Sequence, residues 1–188
     1  MNLNEKPIRE KYKEFYGNNL EQMELLIKDK RVPLTIKQII ERRLNSNQSD
    51  WKDNYFDSCD AIFYGDDGKF KIIRDSKVLK EMTNKTKLVN GAIPMTKKKY
   101  DKLDLPEFSQ ESTKEAVWKY LLDKLYDDYI KMLDYCPHIY FNKMDKYCIR
   151  AAYVVRLGGR SRLNGRSDLD SDYGRLVGVA SEMLKEKK

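Results

Sequence analysis

The sequence predicts an α+β fold, a mostly helical single domain with a small antiparallel sheet in the middle of the chain, between about residues 55 and 95. Apolar residues recur at three- and four-residue spacing in the first and last thirds, which indicates helices. Near the middle, a Gly-Asp-Asp-Gly turn separates two β-favouring runs. We expect one domain of 188 residues, with a helical N-terminal part (1–50), a β-hairpin and basic segment (55–105) and a helical C-terminal part (110–188).

Two helices are expected in the N-terminal part, one from about Leu20 and one over Ile36–Leu44. Thr35 is placed to cap the second helix. Two helices joined by a short turn could form a helix-turn-helix, in which Arg42 and Arg43 would contact DNA. A helical hairpin that serves only packing is the competing interpretation.

The middle of the chain changes from helical to strand periodicity. Cys59–Tyr64 and Lys69–Arg74 flank the turn and predict a β-hairpin. A short helix over Ser76–Met82 and an extended segment over Leu88–Met95 are expected to follow. The segment Lys97–Lys102 then forms a basic turn.

The strongest helix signal covers about Thr113–Tyr135. Ser112 and Glu115 form a capping-box pattern at its start. Trp118 and Leu125 belong to an apolar stripe at helical spacing, so we expect both side chains in the core.

Two further helices are predicted near the end of the chain. Lys143–Leu157 reads as a helix, although Ile149–Leu157 is also compatible with a strand because its Tyr-Val-Val run favours β structure. Leu176–Lys188 is predicted to be helical with a frayed end.

Composition indicates a basic protein of the cytoplasm. The chain carries 37 Lys and Arg against 30 Asp and Glu, a formal net charge of +7. It has three cysteines, which fits a reducing compartment better than a disulfide framework. We find neither a signal-peptide pattern nor an apolar run of membrane-spanning length, so a cytoplasmic protein without membrane contact is expected.

Metal and cofactor chemistry find little support in the sequence. Cys59, Cys136, His138 and Cys148 could supply four zinc ligands, but their spacing is poor and buried free cysteine is the better interpretation. His138 is the only histidine and lacks a nucleophile in a recognisable local setting. Neither a P-loop nor a dinucleotide-binding glycine motif occurs. We therefore expect no metal, no cofactor and no catalytic residue.

One enzyme class stays open. Asp60, followed by Asp67-Gly-Lys69 or Asp75-Ser-Lys77, can be fitted to the carboxylate and lysine outline of a metal-dependent nuclease. In a chain with 36% charged residues, such a pattern also arises by chance.

The alternating aspartates Asp168, Asp170 and Asp172 resemble the start of a calcium loop. An EF-hand needs Gly at the sixth position and Glu at the twelfth, where this chain has Tyr173 and Val179. Helix caps and partners for nearby arginines are the competing interpretation.

Two basic clusters, one of arginines between residues 150 and 175 and one of lysines near residue 98, predict nucleic-acid binding. Arginine suits bidentate phosphate contact and tyrosine suits base stacking. The predicted contacts are Arg150, Arg156, Arg160, Arg162, Arg166, Arg175, Lys97, Lys98, Lys99 and Tyr100.

The repeated tripeptides Gly159-Arg-Ser161 and Gly165-Arg-Ser167 suggest a phosphate-binding nest within the arginine cluster. A polar loop whose arginines pair with the nearby aspartates is the alternative, and it would make the cluster an internal salt-bridge network.

The function predicted from these observations is non-catalytic nucleic-acid binding. A protein-binding or inhibitory module is the first alternative, because a charged surface with tyrosines also serves protein recognition. A metal-dependent nuclease is the second. The predicted partner is therefore nucleic acid or another protein.

Overall fold

The computed structural model describes residues 12–46, 49–109, 111–141, 147–157, 161–166 and 168–181. In these ranges the chain forms one mixed sheet of ten strands. The strands are β1 (Tyr12–Gly17), β2 (Arg31–Pro33), β3 (Phe56–Tyr64), β4 (Phe70–Ile73), β5 (Ile93–Pro94), β6 (Glu107–Phe108), β7 (His138–Tyr140), β8 (Cys148–Val154), β9 (Arg162–Asn164) and β10 (Gly174–Ala180). The helices are α1 (Asn19–Lys28), α2 (Ile36–Asn45), α3 (Ser49–Asp53), α4 (Lys77–Lys80), α5 (Lys97–Asp101), α6 (Lys114–Leu122) and α7 (Tyr126–Leu133), with a 3₁₀ turn at Asp123–Leu125.

The main path through the sheet runs β1-β10-β3-β8-β9-β7. β10 is antiparallel to β1 over six residue pairs and parallel to β3 at Leu176 and Asp57. β8 is antiparallel to both β3 and β9, whereas β7 is parallel to β9. The first and last described strands are therefore neighbours in the sheet.

Both faces of the sheet are covered. Ile62 and Tyr64 of β3 enter one core, whereas Ala61 and Phe63 enter another, as expected when successive side chains point to opposite faces. Helices α2, α6 and α7 supply the first core, and α1 and α4 supply the second. The result is a three-layer arrangement in which all nine residues of β3 are buried.

The start of α2 follows from the sequence, whereas the Ser112 and Glu115 capping box predicted for α6 is wrong, because Thr113 takes the cap position. Thr35 and Gln38 form a capping box at α2, and Thr113 caps α6 by accepting from the N–H of Ala116. The hairpin is also confirmed, since β3 and β4 pair antiparallel from Ala61 with Ile73 to Tyr64 with Phe70.

The predicted mostly helical α+β fold with a small antiparallel sheet is wrong. The helix predicted over 143–157 contains strand β8 in its described part, and residues 176–180 of the helix predicted over 176–188 belong to strand β10. Both strands lie inside the sheet, and a strand covered on both faces loses the polar–apolar alternation that identifies strands in sequence. Strands β1 and β2 were likewise not expected in the helical N-terminal part.

The predicted long helix over 113–135 is interrupted. Asp123 ends α6 with φ of 54° and ψ of −124°, and a 3₁₀ turn leads into α7. Trp118 is fully buried as predicted, whereas Leu125 lies in the 3₁₀ turn and is only half-buried.

Candidate binding site

A pocket of about 360 Å³ opens where β3, β8, β9 and the segment before β10 meet. We call it the tyrosine pocket and define it by six of its lining residues: Tyr55, Asp57, Tyr153, Arg162, Asp168 and Tyr173. A pocket with aromatic walls and a few polar groups is the usual form of a ligand-binding site.

Strand register places these side chains together. Asp57 on β3 lies opposite Tyr153 on β8, and Leu176 of β10 pairs with Asp57 on the other side. The carbonyl of Arg162 accepts from the N–H of Val155 at 3.0 Å, which holds β9 against the end of β8. The pocket is thus built on hydrogen-bonded strands rather than on loops alone.

Asp57 lies in the interior wall of the pocket. Its Oδ2 accepts from the backbone N–H of Arg175 at 2.6 Å, and the side chain of Asn19 also hydrogen-bonds to it. Burial raises the pKa of Asp57 to about 6, against the lowering effect of these two donors. Gly174 allows β10 to lie close to β1, because a Cβ on residue 174 would lie 2.3 Å from the carbonyl oxygen of Gly17.

The rim is aromatic and exposed. Tyr173 has 82% of its surface exposed and Tyr55 has 37%. The hydroxyl of Tyr55 donates to the carbonyl of Tyr173 at 2.6 Å, so the two rim segments are tied to each other. The rim therefore presents large side chains on a backbone that is already fixed.

Asp168 on the rim is held by a buried arginine. Arg150 forms an ion pair with Asp168 and donates to the carbonyl of Asn90 at 2.7 Å. Residue 91, beside Asp168, has to be a glycine, since its φ is +68° and a Cβ there would lie 2.3 Å from the Asp168 side chain. Arg150 thus anchors the segment that carries Asp168 and does not face solvent.

Three of the predicted nucleic-acid contacts are buried. Arg150 is 3% exposed, Arg175 is 8% exposed and pairs with Glu14, and Tyr100 is 4% exposed. Tyr100 packs against Tyr147 with ring centroids 5.5 Å apart. Arg150 and Arg175 therefore lie in the interior as members of ion pairs, the first with Asp168 and the second with Glu14.

The other predicted contacts separate into two groups. Arg162 and Arg166 both stack on the ring of Tyr140, at 5.2 and 5.5 Å from its centroid. Lys97, Lys98 and Lys99 are exposed on α5, and Arg156 is exposed after β8. Arg160, with most of the first repeated tripeptide, lies outside the described residues. Among the predicted residues that the structure describes, Arg162 alone lines the tyrosine pocket.

The helix-turn-helix hypothesis does not fit the position of Arg43. This arginine is fully buried and donates to the carbonyls of Trp51, Asn54 and Val155 at 2.8 to 3.0 Å. Its guanidinium joins α2 to α3 and to the end of β8, so it is not available to DNA.

Asp60 of the nuclease outline has both carboxylate oxygens occupied. Oδ2 accepts from the N–H of Ile36 at 2.7 Å and Oδ1 from the N–H of Asp75 at 2.8 Å. Burial raises the pKa of Asp60 to about 6. In the described part of the chain, no group of three or more His, Cys, Asp or Glu side chains is arranged to hold a metal ion.

Sequence reasoning missed the three tyrosines of the pocket. Tyr55, Tyr153 and Tyr173 come from three distant segments, and none belongs to a motif. Their one common signal is position: each lies within two residues of a strand end.

Comparison with known proteins identifies the fold. No family model matches the sequence, and no curated protein matches it. A solved structure described as "Accommodation of massive sequence variation in Nanoarchaeota by the C-type lectin fold" superposes with a TM-score of 0.64, at 16% identity, covering 89% of this chain and 97% of that one. The chain therefore has a fold similar to the C-type lectin fold. At this identity the likeness concerns the fold alone, and nothing in it bears on nucleic-acid binding.

In the described ranges, no helix has both the length and the apolar character needed to span a bilayer. The cytoplasmic location and the absence of membrane contact stay predictions.

Proposed function

We propose that this protein is a non-catalytic binding module that recognises a protein partner through the tyrosine pocket. The observation that carries the proposal is the convergence of Tyr55, Tyr153, Tyr173 and Arg162 around one open pocket. Tyrosine and arginine dominate the energetics of protein interfaces, because each combines a large contact area with directed hydrogen bonding.

The preorganised backbone supports this proposal. The Tyr55 hydroxyl already holds the Tyr173 carbonyl, and Asp57 already holds the N–H of Arg175. Ordering loops on binding costs free energy, so a rim that is fixed before binding favours affinity. Exposure of 82% at Tyr173 leaves a large aromatic surface to be buried by a partner.

The distribution of positive charge favours a protein partner over nucleic acid. Arg150 and Arg175 are committed to Asp168 and Glu14, which leaves fewer arginines for phosphate contacts. The exposed lysines of α5 do not line the pocket. Nucleic-acid binding depends on many accessible cations converging on a backbone, and the described lining of the tyrosine pocket offers one arginine beside two carboxylates.

The fold supports recognition as well. The similar structure is described as a C-type lectin fold that accommodates massive sequence variation. A scaffold of that kind can keep its sheet while its surface side chains change, which suits a binding protein.

Affinity capture with matched variants tests the proposal. The parent protein should retain one stoichiometric protein at about 0.3 M salt, because a mostly apolar and hydrogen-bonded contact depends little on ionic strength. Tyr153→Ala and Tyr173→Ala should lose that protein, whereas Lys98→Ala, on exposed α5, should keep it. Retention of nucleic acid with a steep salt dependence would instead support the nucleic-acid alternative. Equal retention of the partner by the parent and all three variants would contradict the assignment of the tyrosine pocket as the binding site.

A further inference from the structure

A second pocket, of about 280 Å³, has in its wall Tyr140, the ring on which Arg162 and Arg166 both stack. We call it the Arg166 pocket and define it by Ser109, Ser112, Lys114, Tyr140, Phe141 and Arg166. We infer that the Arg166 pocket binds a phosphate or sulfate ester whose substituent is small and apolar. This inference does not depend on the proposed protein partner.

Two cations, Lys114 and Arg166, line the pocket. In the described part of the chain, neither Arg166 nor Lys114 has an acidic side chain within ion-pair distance. Among the described residues, Lys114 donates to the carbonyl of Cys136 alone, at 3.4 Å, so its ammonium keeps further hydrogens for a ligand. Arg166 rests on the Tyr140 ring 5.5 Å from its centroid, a contact that restricts the guanidinium without neutralising it.

Two serine hydroxyls are available as donors. Ser112 Oγ accepts from the N–H of Ser109 at 2.8 Å, and Ser109 Oγ accepts from the N–H of Glu111 at 3.2 Å. Because each oxygen already accepts from the backbone, its own hydrogen is free to donate to a ligand oxygen. The pocket therefore offers two charged and two neutral donors, while none of its described lining residues is acidic.

The remaining walls define the rest of the ligand. Phe70, Phe141 and Val117 line the same pocket and are buried in the first core. A volume of about 280 Å³ exceeds what one phosphate group fills, so the apolar walls leave room for a small substituent. A tetrahedral oxyanion matches the four donors better than a carboxylate, which has only two oxygens.

Titration with simple probes tests this inference. Phenyl phosphate, inorganic phosphate and phenol are titrated into the parent protein at constant ionic strength, with amide chemical shifts as the readout. We expect phenyl phosphate to bind most tightly, inorganic phosphate to bind more weakly at the same amides, and phenol not to bind measurably. This order separates a site for esters from one for the free ion.

Variants locate the site. Arg166→Ala and Lys114→Ala should each weaken phenyl phosphate binding at least about tenfold, because each removes a charged donor. Lys98→Ala and Arg156→Ala remove exposed cations that do not line the pocket and should leave binding unchanged. Ser112→Ala should weaken binding less than the charge variants, with the melting temperature of every variant checked against the parent.

Equal weakening by pocket and control variants would mean that the anion senses only the overall positive charge and would overturn the inference. Absence of phosphate binding by the parent would overturn it as well. Either result leaves the proposed protein recognition unaffected, because that is measured with Tyr153→Ala and Tyr173→Ala.

Discussion

The guanidinium of Arg175 forms a buried ion pair with the carboxylate of Glu14. Arg175 Nη2 lies 2.8 Å from both Glu14 Oε1 and Oε2, and Nε lies 3.2 Å from Oε2. The pair joins β10 to β1 across 161 residues of chain. Arg175 also packs over the rings of Tyr16 and Phe56, so the pair is enclosed by aromatic side chains. The ion pair therefore ties the first described strand to the last one, its neighbour in the sheet.

Removing one partner of this pair should destabilise the fold strongly. Glu14→Ala or Arg175→Ala leaves an uncompensated buried charge, and we expect a loss of about 3–5 kcal/mol in the free energy of unfolding. The exposed pair of Lys28 and Glu24 is the matched control, and Lys28→Ala should cost at most about 1 kcal/mol. Urea unfolding measures both. Similar small losses at the two sites would show that the Arg175 pair is solvated.

Trp118 and Leu125 should differ in their contributions to stability. Trp118 is fully buried and its indole N–H donates to the carbonyl of Pro137 at 2.9 Å, so Trp118→Ala should cost about 3–5 kcal/mol. Leu125 is half-buried in the 3₁₀ turn, and Leu125→Ala should cost less than about 2 kcal/mol. Equal costs in thermal or urea unfolding would support one uninterrupted helix over 113–135.

Asp60 should make the stability of the protein depend on pH. Burial raises its pKa from an ordinary 3.8 to about 6 in the folded protein, so the folded state binds this proton more tightly than the unfolded state. The contribution of Asp60 is then largest below pH 3.8 and is lost as the pH rises through about 6.

The comparison with Asp60→Asn isolates this effect, because the neutral amide does not titrate. The free energy of unfolding of the parent minus that of the variant should fall between about pH 4 and about pH 7. A difference that grows with pH over that interval would mean that the two N–H donors lower the pKa of Asp60 more than burial raises it.

Gly174 should be intolerant of a side chain. A Cβ there would lie 2.3 Å from the carbonyl oxygen of Gly17, which is backbone in the paired strand β1 and cannot move without breaking register. We expect Gly174→Ala to cost about 1–3 kcal/mol. Gly178→Ala is the comparison, since its nearest contacts are side-chain atoms, Leu26 Cγ at 2.8 Å and Arg31 Cβ at 2.9 Å, rather than backbone. A melting temperature for Gly174→Ala equal to that of the parent would contradict the β1–β10 pairing.

The sequence predicted elements whose signals are local. Thr35 identified the start of α2, and the Gly-Asp-Asp-Gly turn identified the β3–β4 hairpin. Sequence periodicity predicted the wrong element type for β8 and β10. Cys148–Val154 and Gly174–Ala180 are buried on both faces and carry no alternation of polar and apolar residues. Ala-rich and Val-rich runs then fit helix and strand almost equally, and only the neighbouring strands decide between them.

The candidate site was even less predictable. Arg150, Arg175 and Arg162 look alike in sequence, but their surroundings differ: the first two are buried against Asp168 and Glu14, while Arg162 borders the tyrosine pocket. Tyr153 enters the site because it lies opposite Asp57, a register that no local pattern encodes. Composition located the arginines, but tertiary structure determined their roles.

Photo-crosslinking at Tyr173 tests the central claim most directly. Replacing Tyr173, which is 82% exposed on the rim, by p-benzoylphenylalanine keeps an aromatic side chain and adds a reactive group. The same amino acid at Lys98, on exposed α5, is the control. We expect irradiation in extract to join one defined protein to position 173 and none to position 98, and Tyr153→Ala in the same chain to abolish the product. Equal products at both positions, or a product at position 173 that survives Tyr153→Ala, would contradict recognition through the tyrosine pocket.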